Sequence, residues 1–466
     1  MKVILHNEDN PEDNAMLQAL YSRSPKSVLD HLEKLDKVGS GKFMEQFYLG
    51  YGHASIADCG FVTIYFEGIS MLAAKAIEDN PLFNGQECSS RYIDFSQQEF
   101  YNPYAEGDPS HAVVAFVFDE LRSFYTSQLE PMQQYLAERF PREAGGNSNA
   151  YEKAIRAQAF DVLRGFLPAG ATTNVAWTTS LRKAHERLVL LMHHPLPEIQ
   201  EMAFKAYAML FEAYPHSFKK EYAEISAFED RIVALKDLEG PDLFSYLSDS
   251  YNFYATTPYL NCNPWLTKAG DNLAVEIVGP DQPIELPKTL SNRPVKTLLP
   301  RHELAAHTPI KLELTLDFGS FRDLQRHRGG YCSNPVLEID RGFHPWYYDQ
   351  LPDSAKPKAD RLFKQISEAS ATVLKTAKSD PELQFNKLLL QYVTPMGVLV
   401  PVTLVYSLAQ MIYVAELRSG KTVHPTLRAP AQAMATWLKD KGIQAYADMD
   451  ESNWTERRGT QDIIKK

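Results

Sequence analysis

Residues 87–92 read Glu-Cys-Ser-Ser-Arg-Tyr and put Glu87, Ser89 and Arg91 at alternate positions. In an extended segment the three side chains point to one side. A carboxylate, a hydroxyl and a guanidinium so placed suit a polar ligand such as a nucleotide. Arginine offers a planar fork to a phosphate or to a pyrimidine carbonyl edge. A surface salt bridge is the plainer alternative. A second cluster lies at 321–331, Phe-Arg-Asp-Leu-Gln-Arg-His-Arg-Gly-Gly-Tyr, with Arg322, Arg326, His327 and Arg328 as its basic groups. Clustered cations repel one another unless an anion neutralises them. The two glycines would let backbone approach a phosphate closely. A solvated basic patch is the alternative here.

Arg164 and Arg182 stand in mixed helical surroundings, Val-Leu-Arg-Gly-Phe-Leu-Pro and Thr-Thr-Ser-Leu-Arg-Lys. A buried arginine usually has a fixed partner, either a protein carboxylate or a ligand. His53 follows Gly52 and precedes small residues, which leaves room for a close ligand or for a purely structural role. Cys88 lies near Arg91, but no histidine adjoins it in sequence to act as a base, so nucleophilic catalysis by its thiol is not expected. Cys59, Cys88, Cys262 and Cys332 form no CxxC pair and no zinc spacing, so no metal site is expected and the thiols read as free. There is no P-loop, no GxSxG elbow, no HExxH and no GxGxxG after a strand.

The elements that must position these residues read as follows. Residues 1–60 are polar helices and turns, 61–66 a strand, and 69–78 a helix. Helices follow at 111–130, 150–167, 180–192 and 198–213, with a loop at 141–149. Eight prolines between Pro241 and Pro300 prevent long regular helices there and mark a connecting region with short strands such as 273–279. A strand at 310–316 and helices at 357–378, 402–418 and 430–441 complete the chain.

An internal repeat runs through this order. Leu-Arg-Gly-Phe-Leu-Pro ends at Pro168 and Leu-Gln-Tyr-Val-Thr-Pro at Pro395, a separation of 395 − 168 = 227; Ser180-Leu181 and Ser407-Leu408 are also 227 apart. His194-Pro195 and His424-Pro425 are 230 apart. A strand with a glycine-containing turn occurs in both halves, the glycines Gly68 and Gly319 being 319 − 68 = 251 apart. The expected organisation is a first domain at 1–235, a Pro-rich connection at 236–300 and a second domain at 301–466.

Composition limits the function. The chain has 466 residues, 44% hydrophobic and 23% charged, which excludes a disordered chain, a coiled coil or a fibre. Its 48 basic and 59 acidic residues give a net charge of −11, unsuited to broad nucleic-acid binding. No stretch approaches the ~18 apolar residues of a membrane span, and the N-terminus lacks the apolar core of a signal peptide. A cytoplasmic protein is expected.

Taken together, these segments resemble the flavin-dependent thymidylate synthases. That family carries a GHxS segment, then RHR-xx-S-x-NE-x-S-x-RY, an arginine before Leu-Pro, N-x-R on a helix, L-R, and a segment like AQxEIR. Gly52-His53-Ala54-Ser55 matches the first, Gln86 to Tyr92 matches NExSxRY with Gln for Asn, Arg164 precedes Leu167-Pro168, and Ser180-Leu181-Arg182 matches N-x-R with Ser for Asn. Pro197-Glu198-Ile199-Gln200 resembles the last segment. The first half's RHR positions are Asp79-Asn80-Pro81. The second half keeps Arg326-His327-Arg328 and Leu417-Arg418 but has Ser333-Asn334-Pro335 in place of NExSxRY, Gln391 opposite Arg164 and Ala409 opposite Arg182. Each half lacks what the other keeps.

The resemblance implies an α/β (α+β) fold of two tandem synthase-like copies, each a mixed sheet packed with long helices. It implies composite sites, and a homodimer that stands in for the family's tetramer. By this resemblance Glu87, Ser89, Arg91, Arg164 and Arg182 bind a dUMP substrate, with Ser89 and Arg182 taking catalytic roles. Arg322, Arg326, His327, Arg328 and His53 would hold FAD. NADPH and methylenetetrahydrofolate would be co-substrates, the carbon reaching carbon 5 of the uracil and the flavin supplying a hydride. The family's glutamine three residues before RHR is Asp323 here, and a carboxylate beside a phosphate is unfavourable. Two other readings stay open: one-carbon transfer to another pyrimidine nucleotide, and a silent flavin- or nucleotide-binding protein.

Overall fold

A computed structural model describes residues 1–7, 9–80, 82–256, 275–279, 290, 299, 304, 309–333, 336–452 and 454. Pro81, Cys262, Asn334, Pro335 and seven of the eight prolines of the connecting region lie outside the described residues. Pro241, the eighth, does not break a helix. It opens the Pro241–Thr256 helix at a position where its missing N–H has no partner to lose.

The fold is mixed α/β. Four antiparallel strands form one sheet in the order β1-β2-β4-β3: β1 (Lys2–Leu5), β2 (Phe61–Ser70), β3 (Asn84–Glu87) and β4 (Thr172–Ser180). Four more form a second sheet in the order β5-β6-β8-β7: β5 (Val275–Val278), β6 (Ile310–Asp317), β7 (Gly330–Ser333) and β8 (Leu399–Tyr406). The strand order is the same in both. Residues 402–406 thus belong to a strand, not to the helix expected from 402; the apolar run Leu-Val-Pro-Val-Thr-Leu-Val-Tyr is rich in β-branched residues, and the helix starts only at Leu408.

The register carries matching intervals in the two sheets. Ser70 pairs with Thr172 and Asp317 with Leu399, so the second pair stands 317 − 70 = 247 and 399 − 172 = 227 residues after the first. Ser70 caps the Met71–Glu78 helix and Asp317 the Phe318–Gln325 helix; Asp79 and Arg326 end them, again 247 apart. The sequence match of Gly68 with Gly319 is therefore corrected. Gly68 is the extra residue of a bulge in β2 at φ +65°, a conformation that favours glycine. The β6 register has no such bulge, and Gly319 lies inside a helix. Likewise Pro425, which opens the Pro425–Asp440 helix, corresponds to Pro197 at the start of the Pro197–Ala213 helix rather than to Pro195.

The contacts divide the chain into two units that do not follow chain order: Met1–Cys88 with Thr172–Thr257, and Ser89–Ala171 with Pro258–Lys466. The first unit contains the first sheet, on which the Met71–Glu78 and Leu181–Met192 helices pack. The second contains the second sheet and, from both halves of the sequence, two helix pairs: Pro109–Arg139 with Ser148–Leu163, and Lys356–Lys375 with Asp380–Leu389. The Pro109–Arg139 and Lys356–Lys375 helices pack on each other.

Inside this second unit Pro168 forms an antiparallel bridge with Pro395. Ala169 N–H donates to Thr394 O and Met396 N–H to Leu167 O, each at 2.8 Å. Gly170 N–H donates to Tyr392 O and Gly397 N–H to Gly165 O, also at 2.8 Å. Adding 227 to the first-half member of each bond gives the second-half member of its mate. Around the ladder lie aromatic rings, the buried Phe124 and Phe166 at 4.6 Å, Phe166 against Phe343 at 4.9 Å and Phe343 against Phe363 at 4.8 Å. Among the described residues no helix is long and apolar enough to cross a membrane.

Candidate functional site: an arginine cluster around Asp323

In the second unit, β6 runs into the Phe318–Gln325 helix, whose last turn carries Arg322 and Asp323 and whose C-cap is Arg326. The helix is held at its start by Asp317, which accepts from Ser320 N–H at 2.8 Å and from the Tyr347 hydroxyl at 2.8 Å. Asp323 faces guanidiniums from both halves of the sequence. Burial would raise its carboxyl, but Arg164, Arg326, Arg418 and Arg91 outweigh it and hold Asp323 well below the usual carboxylate range. It is an anion at every physiological pH.

The four arginines are held differently. Arg91 donates Nε and Nη2 to the two carboxylate oxygens of Asp161 at 2.9 and 3.2 Å, and Nη2 also to Thr422 O at 3.0 Å. Asp161 is fully buried, so this is a fixed internal fork. Arg418 donates Nε to His327 Nε2 at 2.7 Å and Nη2 to Asp323 O at 2.9 Å. Arg164, only 2% exposed, reaches Asp323 through a single long contact, Nη1 to Oδ2 at 3.4 Å. The Tyr347 hydroxyl adjoins the Arg164 guanidinium but gives its proton to Asp317. Arg164 Nε and Nη2 are buried and find no hydrogen-bond partner in good geometry among the described residues. Leaving a buried donor unmatched costs about 1–3 kcal/mol, more for a charged group.

Two histidines beside the cluster are neutral. Burial, with Arg418 and Arg326 against the opposing pull of Asp323, pushes His327 down to about 3. Neutrality leaves His327 Nε2 a lone pair for the Arg418 N–H. Burial, then Arg164, with Arg91 adding, pushes His424 down to about 3 despite Asp161. His424 Nδ1 accepts from Thr426 N–H, which puts its proton on Nε2, donated to Asp161 O at 3.1 Å.

The residues expected from sequence distribute over the two units. Ser89, Arg91, Arg164, Arg322, Arg326, His327 and Arg328 belong to the second; His53, Glu87 and Arg182 belong to the first. The 87–92 segment is not extended throughout. Glu87 ends β3, and Ser89 opens a turn in which its carbonyl takes the N–H of Tyr92 and Ile93 and its hydroxyl takes the N–H of Arg91. Arg182 Nη2 pairs with Asp58 Oδ2 at 2.5 Å and lies 3.9 Å from Glu186. His53 is exposed and follows a π-helix, Met44–Gly50, with the rings of Tyr51 and Phe47 6.3 and 6.5 Å away.

Asp161 and Tyr347 stand in no motif of the sequence, Arg418 enters it only as part of Leu417-Arg418, and His424 only as part of His424-Pro425. No spacing signal marks Asp161 or Tyr347. His424 and Arg418 had a signal, since both lie in segments that match between the halves.

Residues 2–216 match the family model described as thymidylate synthase complementing protein. A UPF0159 protein of Thermoplasma acidophilum is 23% identical over 485 residues, covering 92% of each chain. A UPF0159 protein of Chlamydia muridarum is 25% identical over 428 residues, covering 83% of this chain and 76% of its own. Among solved structures, thymidylate synthase X from Helicobacter pylori with FAD and dUMP is 19% identical, covering 50% of this chain and 99% of that one. Its TM-score of 0.31 gives that likeness no weight. The first part of the chain, residues 2–216, is thus similar to the thymidylate synthase complementing protein family.

Proposed function

We propose that this chain catalyses the flavin-dependent reductive methylation of dUMP to dTMP at a site built from two fused copies of one domain. The observation that carries the reading is Arg164: a buried guanidinium with two unmatched donors, inside a cluster to which both halves contribute arginines. Such donors suit an anion with several acceptor oxygens, and a phosphate is one.

The duplication rests on the shared strand order, the shared cap positions and the ladder at Pro168 and Pro395. A ladder in which residue i meets j and j's counterpart meets i's is what a two-fold dimer interface produces. Here one chain holds both sides of it. On this reading 1–235 and 301–466 are the copies, and the chain pairs with a second one in solution.

Arg164, from the first copy, would bind and orient the nucleotide, while Arg91, tied to Asp161, would act on it only as a nearby positive charge and Ser89 would stand beside Arg91. Arg418, from the second, would add positive charge where negative charge develops on the pyrimidine. Arg326 is exposed and Arg328 half-buried, both cationic, so the donor set at the end of the Phe318–Gln325 helix fits the diphosphate of FAD. When bound, FAD would supply the hydride chemistry, with NADPH as reductant and methylenetetrahydrofolate as carbon donor. Neutral His327 would keep Arg418 in place. The family likeness also assigns Arg322, His53, Glu87 and Arg182 to ligands.

The test is an anaerobic reaction of the full chain with FAD, NADPH, methylenetetrahydrofolate and dUMP, with nucleotides read by mass spectrometry. Formation of dTMP supports the proposal. Bound, reducible flavin with no gain of mass on dUMP contradicts it.

A further inference from the structure

Asp323 is an anion set among the guanidiniums that an anionic ligand would need, and the nucleotide reading above does not account for it. We propose that Asp323 is an internal counterion, displaced from Arg164 by the phosphate of the bound nucleotide, and so a specificity-determining residue for ligand charge. The inference rests on that reading and adds to it.

The two arginine–aspartate pairs of the cluster differ in a way that decides which can exchange. Arg91 and Asp161 share two hydrogen bonds, and the Asp161 side chain has no solvent exposure. Nothing small could enter there without stranding a buried charge. Arg164 and Asp323 share one contact at 3.4 Å, and the Asp323 side chain is 20% exposed. Its carboxylate can turn toward water at little desolvation cost. Its backbone stays in place, because Arg418 Nη2 holds the Asp323 carbonyl.

A phosphate offers several acceptor oxygens where Asp323 uses one. It could take Arg164 Nη1 from Asp323 and, on the same edge of the guanidinium, also Nη2, which finds no partner in good geometry among the described residues. The exchange is therefore favourable in hydrogen bonds and opposed by repulsion between the incoming dianion and the Asp323 charge. That opposing effect acts on phosphate and not on an uncharged nucleoside. Asp323 thus lowers affinity for a nucleotide selectively.

The experiment measures equilibrium binding of dUMP and of deoxyuridine to the full chain with FAD present, for the native protein and for Asp323→Asn and Asp323→Gln. Asp323→Asn keeps the size of the side chain, both variants keep its polarity, and their thermal midpoints establish that they fold. The proposal predicts that dUMP binds at least tenfold tighter to both variants, with deoxyuridine unchanged within twofold. Equal or weaker dUMP binding in both variants overturns the counterion role and leaves the nucleotide reading standing. Equal tightening of both ligands also overturns it, because the effect would then not be one of charge. No dUMP binding to any of the three proteins overturns the proposal together with the nucleotide reading.

Discussion

Pro168 lies directly across from Pro395, its counterpart 227 residues later, and the backbone hydrogen bonds on either side of the pair repeat with that same interval. The pairing is tight because glycines flank it. A Cβ on Gly170 would stand 2.8 Å from Tyr392 O, and one on Gly397 would stand 3.0 Å from Gly165 O and against the Phe343 ring. Gly170→Ala and Gly397→Ala are each expected to destabilise the protein by about 1–3 kcal/mol. Thermal midpoints check this, and an unchanged midpoint for either variant would mean the ladder is looser than drawn.

The Arg91–Asp161 fork gives a second prediction. Removing one partner strands a buried charge, so Arg91→Met or Asp161→Leu alone should cost about 3–5 kcal/mol. The double variant should recover most of that loss. Denaturant midpoints of the four proteins form the cycle, and additive losses would contradict the pairing.

Acid should destabilise the second unit through its histidines. His327 and His424 titrate at about 3 in the folded chain, well below the ordinary value of about 6.5. Between those values the unfolded chain binds more protons, so stability rises with pH there and is lost as pH falls from 6.5 toward 3. Each histidine contributes up to about 1.4 kcal/mol per pH unit in that window. Asp323, depressed by its arginines, adds a loss only at lower pH, beneath the ordinary carboxylate value. His327→Gln should flatten part of the decline in thermal midpoint; an identical pH profile would show that His327 is not the group responsible.

Arg182 separates binding from folding. Its pair with Asp58 is 30% and 33% exposed, so Arg182→Ala should cost less than ~1 kcal/mol of stability. The family likeness predicts that it nonetheless abolishes dUMP binding and leaves FAD bound, whereas Arg326→Ala weakens both. Calorimetric titration of each ligand decides, and full dUMP affinity in Arg182→Ala would remove it from the site.

Much of the fold was legible because some features depend on local chemistry. Ser180 and Ser407 cap helices with their own hydroxyls, so their interval survives in the sequence. The basic run at 326–328 ends a helix whose capping aspartate, Asp317, is equally local. What could not be read depended on distant partners. Strand β4 buries every second residue from Thr173 to Thr179, but its sequence is mostly polar, and the apolar run of β8 reads as well as a buried helix. Asp161 carries no motif, and its role exists only because Arg91 arrives from 70 residues away. The turn at Ser89 was hidden by the alternation of Glu87, Ser89 and Arg91, which fits a strand equally well.

The central claim is that two degenerate copies supply one site between them, and the stoichiometry of nucleotide binding tests it most directly. Calorimetric titration of the FAD-loaded chain with dUMP should give one nucleotide per chain, and binding should be lost on substituting either Arg164 from the first copy or Arg418 from the second. Two nucleotides per chain, or a site that survives loss of one of these arginines, would contradict the account.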